Sequence, residues 1–237
     1  MSSSLQPFVL YYHGPSPNPT KVLIILEELG LPYKLEEIVT DKLKTEPFIS
    51  LNPNGRVPAL VDPNRDNLTL FESMAIIDYL IAEYDTDAKL HYTTFEEKYA
   101  ARCWGYFQVS GQGPYFGQSA WFHYYHPEKL QSAIDRYENE ARRVTTVIEA
   151  HLAKQGTDYL VGDKLTYADL AWVPYYNVFQ RIAPGAEISD LKLVQAWLAR
   201  MNERPSVAKS VEFTKAEIEK HHPKATDEGA ESTNTKE

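Results

Sequence analysis

Three short segments of this chain carry residues whose types and spacing could do chemistry together. The first is Gly14-Pro15-Ser16-Pro17-Asn18-Pro19-Thr20, a rigid loop that leads into a helical pattern. A helix N-terminus offers unpaired N–H groups and a positive dipole end. The loop holds no sulfur, so a thiolate stabilised there must arrive on a small molecule. Ser16 and Asn18 are its natural side-chain donors, and both could equally be plain turn and cap residues. The second segment is Asn52-Pro53-Asn54-Gly55-Arg56-Val57-Pro58-Ala59-Leu60. A Val-Pro bond that opens a strand is a candidate for the cis isomer. The backbone N–H and C=O of Val57 could then pair with an extended peptide. The third is Phe71-Glu72-Ser73, where a strand meets a helix. Ser73 and the helix amides suit a carboxylate, and Glu72 suits an ammonium; simple capping is the alternative. Together the segments describe a short peptide with a zwitterionic head and a thiol. Glutathione fits that description.

Other chemistries find less support. There is no Gly-x-Ser-x-Gly elbow, P-loop or His-Glu-x-x-His pattern. Gly111-Gln112-Gly113-Pro114 follows no strand and reads as a helix-ending kink rather than a dinucleotide loop. His123 and His126 have no accompanying carboxylate cluster, so no metal site is expected. Cys103 sits inside a helical pattern, away from any helix start, and is expected to be a packed thiol. As the only cysteine it cannot form an intrachain disulfide, which points to a reducing compartment. Asp plus Glu is 33 against 24 Lys plus Arg, a formal charge of −9. Such a chain lacks an electrostatic footprint for nucleic acid and is repelled by anionic membranes. No apolar run approaches the ~20 residues of a membrane helix. The first residues lack signal- or transit-peptide character, so a cytoplasmic location is expected.

The elements that must hold these segments follow from periodicity. Residues 8–12 are a short apolar and aromatic run, read as a buried strand. Val22, Ile25, Leu26 and Leu29 have helical spacing, closed by Gly30 and Pro32. Strands are expected at 33–39, 56–61 and 68–71, a short helix at 47–51, and a helix at 73–84. The order β-α-β-α-β-β-α is that of thioredoxin. Residues 86–93 read as a linker, and only helices are expected beyond it. They fall at about 94–112, 128–152, 166–182 and 191–202, with a last one after Pro205. Thr166 and Asp169, flanked by Leu165 and Leu170, form a capping-box and staple pattern. The expected division is a thioredoxin-like domain at 1–85, the linker, an all-helical domain at 94–218 and a disordered tail at 219–237.

The chain resembles cytosolic glutathione transferases from about Pro7 to Phe213. The likeness is strongest to the fungal subgroup related to the yeast nitrogen-regulatory prion protein and to bacterial nu-class transferases. The three segments above carry it, with Gly113-Pro114-Tyr115-Phe116-Gly117-Gln118, Ala133-Ile134-Asp135-Arg136-Tyr137 and the stretch from Leu160 to Leu170. The resemblance implies a glutathione site. In it Val57 and Pro58 hold the cysteinyl backbone, Glu72 and Ser73 the γ-glutamyl head, and Asn18 with Ser16 the sulfur. It also implies that Arg136 reaches the site and that a cation before the second helix meets the glycyl carboxylate. Lys44 and Lys42 are near that place, while strict spacing puts Leu43 there. A small hydrophobic second substrate would lie between Tyr12 to Pro15 and the aromatic stretch Tyr115, Phe116, Trp121 and Phe122, which could also be core or dimer contact. A homodimer is implied as well. Met74 and Pro19 depart from the usual pattern and could mark a member dedicated to one substrate, as in fungal secondary metabolism. The expected reaction is thiol attack on an electrophile or a disulfide. Cis–trans isomerisation of a conjugated alkene, or a non-catalytic regulatory role, are the alternatives.

Overall fold

The computed structural model describes residues 5–221. Alternation in β1 (Phe8–Tyr12) decides the first layer. Phe8, Leu10 and Tyr12 are buried, whereas Tyr11 points to the opposite face and meets Phe48. β1 pairs in parallel with β2 (Tyr33–Glu37) and antiparallel with β3 (Ala59–Asp62), which pairs antiparallel with β4 (Leu68–Phe71). The order is β2-β1-β3-β4, with Leu10 opposite both Leu35 and Leu60. α1 (Pro17–Glu28) and α3 (Ser73–Tyr84) pack together on one face of the sheet, and the short α2 (Phe48–Leu51) lies on the other.

The remaining elements are helical among the described residues: α4 (Phe95–Phe107), a π-helical turn at Gln108–Gln112, α5 (Gly113–Tyr124) and α6 (Gln131–Gln155). They are followed by α7 (Tyr167–Leu170), α8 (Val173–Asn177), α9 (Phe179–Ile182), α10 (Lys192–Asn202) and α11 (Pro205–His221). α1 is wedged between α3 and the helices α7, α8 and α11, so every residue from Pro19 to Leu26 is buried. None of these helices is long and apolar enough to cross a membrane.

The thioredoxin-like sheet layer followed by helices agrees with the expected fold class, while several boundaries shift for identifiable reasons. β3 starts at Ala59 rather than at 56, because Pro58 has no N–H to give the ladder. Gly111 to Pro114 do not end a helix: the π-turn carries the chain directly into α5, where Pro114 sits in the first turn and its missing N–H is not needed. Residues 166–182 form three short helices instead of one. Pro174 cannot donate to the carbonyl of Leu170, so α7 ends and α8 restarts around it. Cys103 is exposed, not packed, because it projects from the outer side of α4. α11 continues through His221, past the expected tail start at Glu219; residues 222–237 lie outside the described residues.

The capping box at Thr166 forms as expected. Asp169 is fully buried and accepts from the amides of Thr166 (2.9 Å) and Leu160 (2.8 Å) and from Trp197 Nε1 (3.0 Å). One short Asp thereby ties α7 to the preceding loop and to α10. Each bond to a carboxylate is stronger than a neutral one.

Candidate functional site

Two helix N-termini and one loop converge on a single polar cleft of about 120 Å³. Asn18 comes from α1, Val57 and Pro58 from the loop before β3, and Glu72 and Ser73 from the junction of β4 and α3. These five residues were expected at the site, and the fold brings them together. The Val57-Pro58 peptide is cis, as the sequence suggested.

The loop is shaped by its own side chains. Asn52 is buried, accepts from the amide of Asn54 at 2.9 Å and donates to the carbonyl of Arg56 at 2.6 Å. This Asx-type turn closes the loop and presents Val57 to the cleft. Gly55 has φ of 61°, and a Cβ there would stand 2.9 Å from the carbonyl oxygen of Leu43. Only glycine fits both the conformation and the space. Asn52, Asn54 and Arg56 also line the cleft. They lay within the motif, but the reading of it gave only Val57 and Pro58 a role.

The α3 end is built differently. Glu72 has φ of 69° and stands as N-cap, exposed, while Ser73 is buried. A non-glycine residue in this region is strained, and such strain gathers at ligand sites. Ser73, Met74 and Ala75 all carry an N–H in the first turn of α3. In α1 the first and third positions are Pro17 and Pro19, which carry none. The amide of Ser16 donates to the carbonyl of Gly14 at 2.8 Å. Asn18 is therefore the residue with both a main-chain and a side-chain N–H to offer at this helix end. Ser16 is the N-cap, makes no capping bond, and does not line the cleft.

Behind the cleft lies a buried polar chain that the sequence reading missed. Lys21, 1% exposed, donates to Gln108 Oε1 at 2.7 Å. Gln108 donates to Gln112 at 2.8 Å, and Gln112 to the carbonyl of Trp172 at 3.1 Å. Burial pushes the Lys21 ammonium down to about 7, and the Glu72 carboxylate pulls it partly back. The Lys21 ammonium stands 5.7 Å from the centre of the Tyr175 ring. A lysine inside an otherwise apolar helical run was the available signal for Lys21; nothing local marks Tyr175.

Other expected residues fall elsewhere. Lys44 is exposed and packs near Gly55 without lining the cleft. Arg136 is exposed on α6 and does not line the cleft either. Tyr12 is buried against Phe213 and reaches Glu217 Oε1 at 3.4 Å, and Pro15 is half-buried on the loop. The aromatic stretch of α5 does not make one wall, because a helix turns about 100° per residue. Phe116 is fully buried among Tyr175, Tyr176 and Phe179, so it belongs to the core and not to a pocket. Tyr115 and Phe122 lie against Tyr137 of α6, and Trp121 is 47% exposed.

A larger cavity, about 310 Å³, lies between α3 and α4, lined by Asp78, His91, Lys98, Arg102 and Tyr167 among others. It contains none of the expected site residues. The smaller cleft is the better candidate, because its donors and its carboxylate suit the oppositely charged groups of one zwitterionic ligand. Among the described residues, Glu37, Glu217 and His221 form a group with metal-type ligands near Gly14. Lys220 and His221 pair with Glu37, so these carboxylates already have basic partners.

Known proteins resemble this chain over most of its length. Residues 15–83 match the family described as "Glutathione S-transferase, N-terminal domain", and residues 114–205 match "Glutathione S-transferase, C-terminal domain". The chain is 44% identical over 217 residues to glutathione S-transferase-like protein tpcF of Aspergillus fumigatus, covering 87% of this chain and 96% of that one. It is 36% identical to the transcriptional regulator URE2 of Saccharomyces cerevisiae, covering 87% of this chain and 68% of the regulator. A glutathione transferase of Phanerochaete chrysosporium, solved with oxidized glutathione, superposes with a TM-score of 0.84 at 35% identity, covering 91% of this chain and 98% of that one.

Proposed function

The chain belongs to the glutathione S-transferase family, and from that premise we propose that it binds glutathione in the polar cleft and activates its thiol. The convergence of Asn18, Val57, Glu72 and Ser73 from three separate segments carries this reading. The α3 amides and Ser73 take the α-carboxylate of the γ-glutamyl head, and Glu72 takes its ammonium. The main chain of Val57 pairs with the cysteinyl unit. Asn18 donates to the sulfur, with Ser16 as helper. For the glycyl carboxylate, Arg56 lines the cleft and replaces Lys44 as the first choice. Arg136 has no such support from its position.

Holding a thiol as thiolate at neutral pH takes about 2 units of pKa, or about 2.7 kcal/mol of differential stabilisation. One or two hydrogen bonds to a charged sulfur, plus the dipole of α1, are of that size. The thiolate then attacks an electrophilic carbon or one sulfur of a disulfide, and the leaving group carries away the electron pair. A small hydrophobic second substrate approaches from the Pro15 side, and Phe116 is no part of its wall. The protein acts in the cytoplasm, on a substrate of a fungal biosynthetic pathway.

The test is calorimetric titration with glutathione, followed by turnover assays with electrophilic and disulfide substrates. Saturable binding with glutathione-dependent turnover is expected. Binding without turnover would instead favour a regulatory role, the role named for the yeast relative. Release of rearranged substrate without an adduct would identify an isomerase.

We also propose a homodimer. Phe95, Tyr99 and Tyr106 are 73%, 46% and 54% exposed along α4, and Phe71 is 38% exposed on β4. Phe95, Tyr99 and Tyr106 share one face of α4, which is the kind of surface a second copy of the chain would cover. Light scattering should give twice the chain mass at micromolar concentration; a monomer would refute the assembly.

A further inference from the structure

Tyr175 does not line the cleft, yet it touches the residue on which the sulfur site depends. With Pro17, Pro19 and Ser16 unable to offer a main-chain donor, the α1 end relies on Asn18. An asparagine side chain has an acceptor face, Oδ1, and a donor face, Nδ2. A thiolate can use only the donor face. What holds the other face therefore decides whether the site works.

The Tyr175 hydroxyl donates to Asn18 Oδ1 at 3.3 Å. Tyr175 is 6% exposed, so its phenolic proton needs a partner inside the protein. Asn18 Oδ1 is the acceptor it reaches among the described residues. Burial pushes the Tyr175 hydroxyl up to about 12, so it stays a donor through the working range. The Lys21 ammonium beside the Tyr175 ring acts in the same sense. Below about pH 7, where Lys21 carries its proton, the buried positive charge favours the oxygen end of the Asn18 dipole pointing inward and the NH2 end pointing out. Lys21 is itself fixed by Gln108, and the charged groups that act on this pair are Glu72 and Arg56.

We propose that Tyr175 of α8 is a positioning residue for the sulfur site: by occupying Asn18 Oδ1 from the helical half of the chain, it leaves Nδ2 to meet the thiolate. This rests on the reading of Asn18 as the thiolate donor. It makes the sulfur site a joint product of both halves, linked by a contact across 157 positions of sequence.

Tyr175→Phe keeps the ring packed near Phe116 and removes only the hydroxyl. The pKa of bound glutathione, read from thiolate absorbance against pH, should rise by about half to one unit. Turnover below that pKa should fall about 3- to 10-fold and recover at alkaline pH, with KM for glutathione changed less than about twofold. A purely structural role would not give this pH-dependent recovery. In an Asn18→Ala background, Tyr175→Phe should have no further effect. Asn18→Asp keeps an acceptor for Tyr175 but removes the donor face, and should raise the thiol pKa at least as much as Asn18→Ala. If Asn18→Ala shifts the titration and Tyr175→Phe does not, or if their effects multiply, the positioning role is overturned. If Asn18→Ala itself leaves the curve unchanged, the donor assignment fails instead.

Discussion

The N-termini of α1 and α3 face the same cleft, and they are chemically unlike. The α3 end presents three consecutive residues with N–H groups beneath a strained Glu72. That is a surface for a group with several acceptor oxygens and a neighbouring cation. The α1 end has proline at its first and third positions, leaving Asn18 as its donor and, one turn further in, the buried Lys21. That arrangement suits a single anionic atom. A helix N-terminus is thus not a generic anion site: the residues in its first turn set how many donors it has.

The largest expected effect breaks the α1 side. Asn18→Ala should slow turnover about 10- to 150-fold below the thiol pKa, since a hydrogen bond to a charged group is worth roughly 1.5–3 kcal/mol. The thiolate titration should move up with it, while glutathione affinity changes little. Identical titration curves for the two proteins would remove α1 from the sulfur site.

Glu72→Gln tests the other helix end. Glutathione affinity should weaken about 10-fold, with turnover at saturation nearly unchanged; the loss is held below that of a fully buried pair because Glu72 is exposed in the free protein. Calorimetry that returned the wild-type affinity would mean that the head group binds elsewhere.

Lys21 sharpens the contrast through stability. Its folded-state amine titrates near 7, while the unfolded amine stays charged to about pH 10. Between these values the unfolded chain binds the extra proton, so stability rises with pH. The slope reaches at most about 1.4 kcal/mol per pH unit. Denaturant unfolding at pH 7, 8 and 9 should show this rise in the wild type and lose it in Lys21→Met. Equal slopes would mean that the lysine is uncharged or solvated in both states.

The smallest effect should come from Pro19→Ala, which returns one amide N–H to the first turn of α1. The bound thiol pKa should drop by a few tenths of a unit, raising turnover below that pKa about two- to threefold. A rise in pKa would show that Pro19 shapes the loop rather than limiting its donors.

Much of the scaffold was legible because its signals are local. The bounds of β1, β4 and α3 agree with the sequence expectation, since short apolar runs bounded by turn residues mark the two strands and 3.6-residue spacing marks the helix. The Thr166–Asp169 capping box was legible for the same reason, its partners lying three positions apart. Misreadings arose where burial on all sides erased periodicity. From Tyr167 to Tyr176 every residue is buried, and one helix could not be told from several. The aromatic residues of α5 failed differently: their types were visible, but not the faces onto which they divide.

By itself the sequence determined the chemistry on offer. It showed which side chains can donate, where helices begin, and that three short segments together suit a zwitterionic peptide with a thiol. Tertiary structure alone decided which of those groups meet and which way they face. It set Arg56 in the cleft, left Lys44 and Arg136 out of it, and buried Lys21 between two layers of helices. It also turned Asn18 through a hydroxyl from α8. The physical reason is range. Caps, turns and amphipathic faces arise from residues a few positions apart, whereas the orientation of a polar side chain in a cleft follows from what the packed chain places behind it.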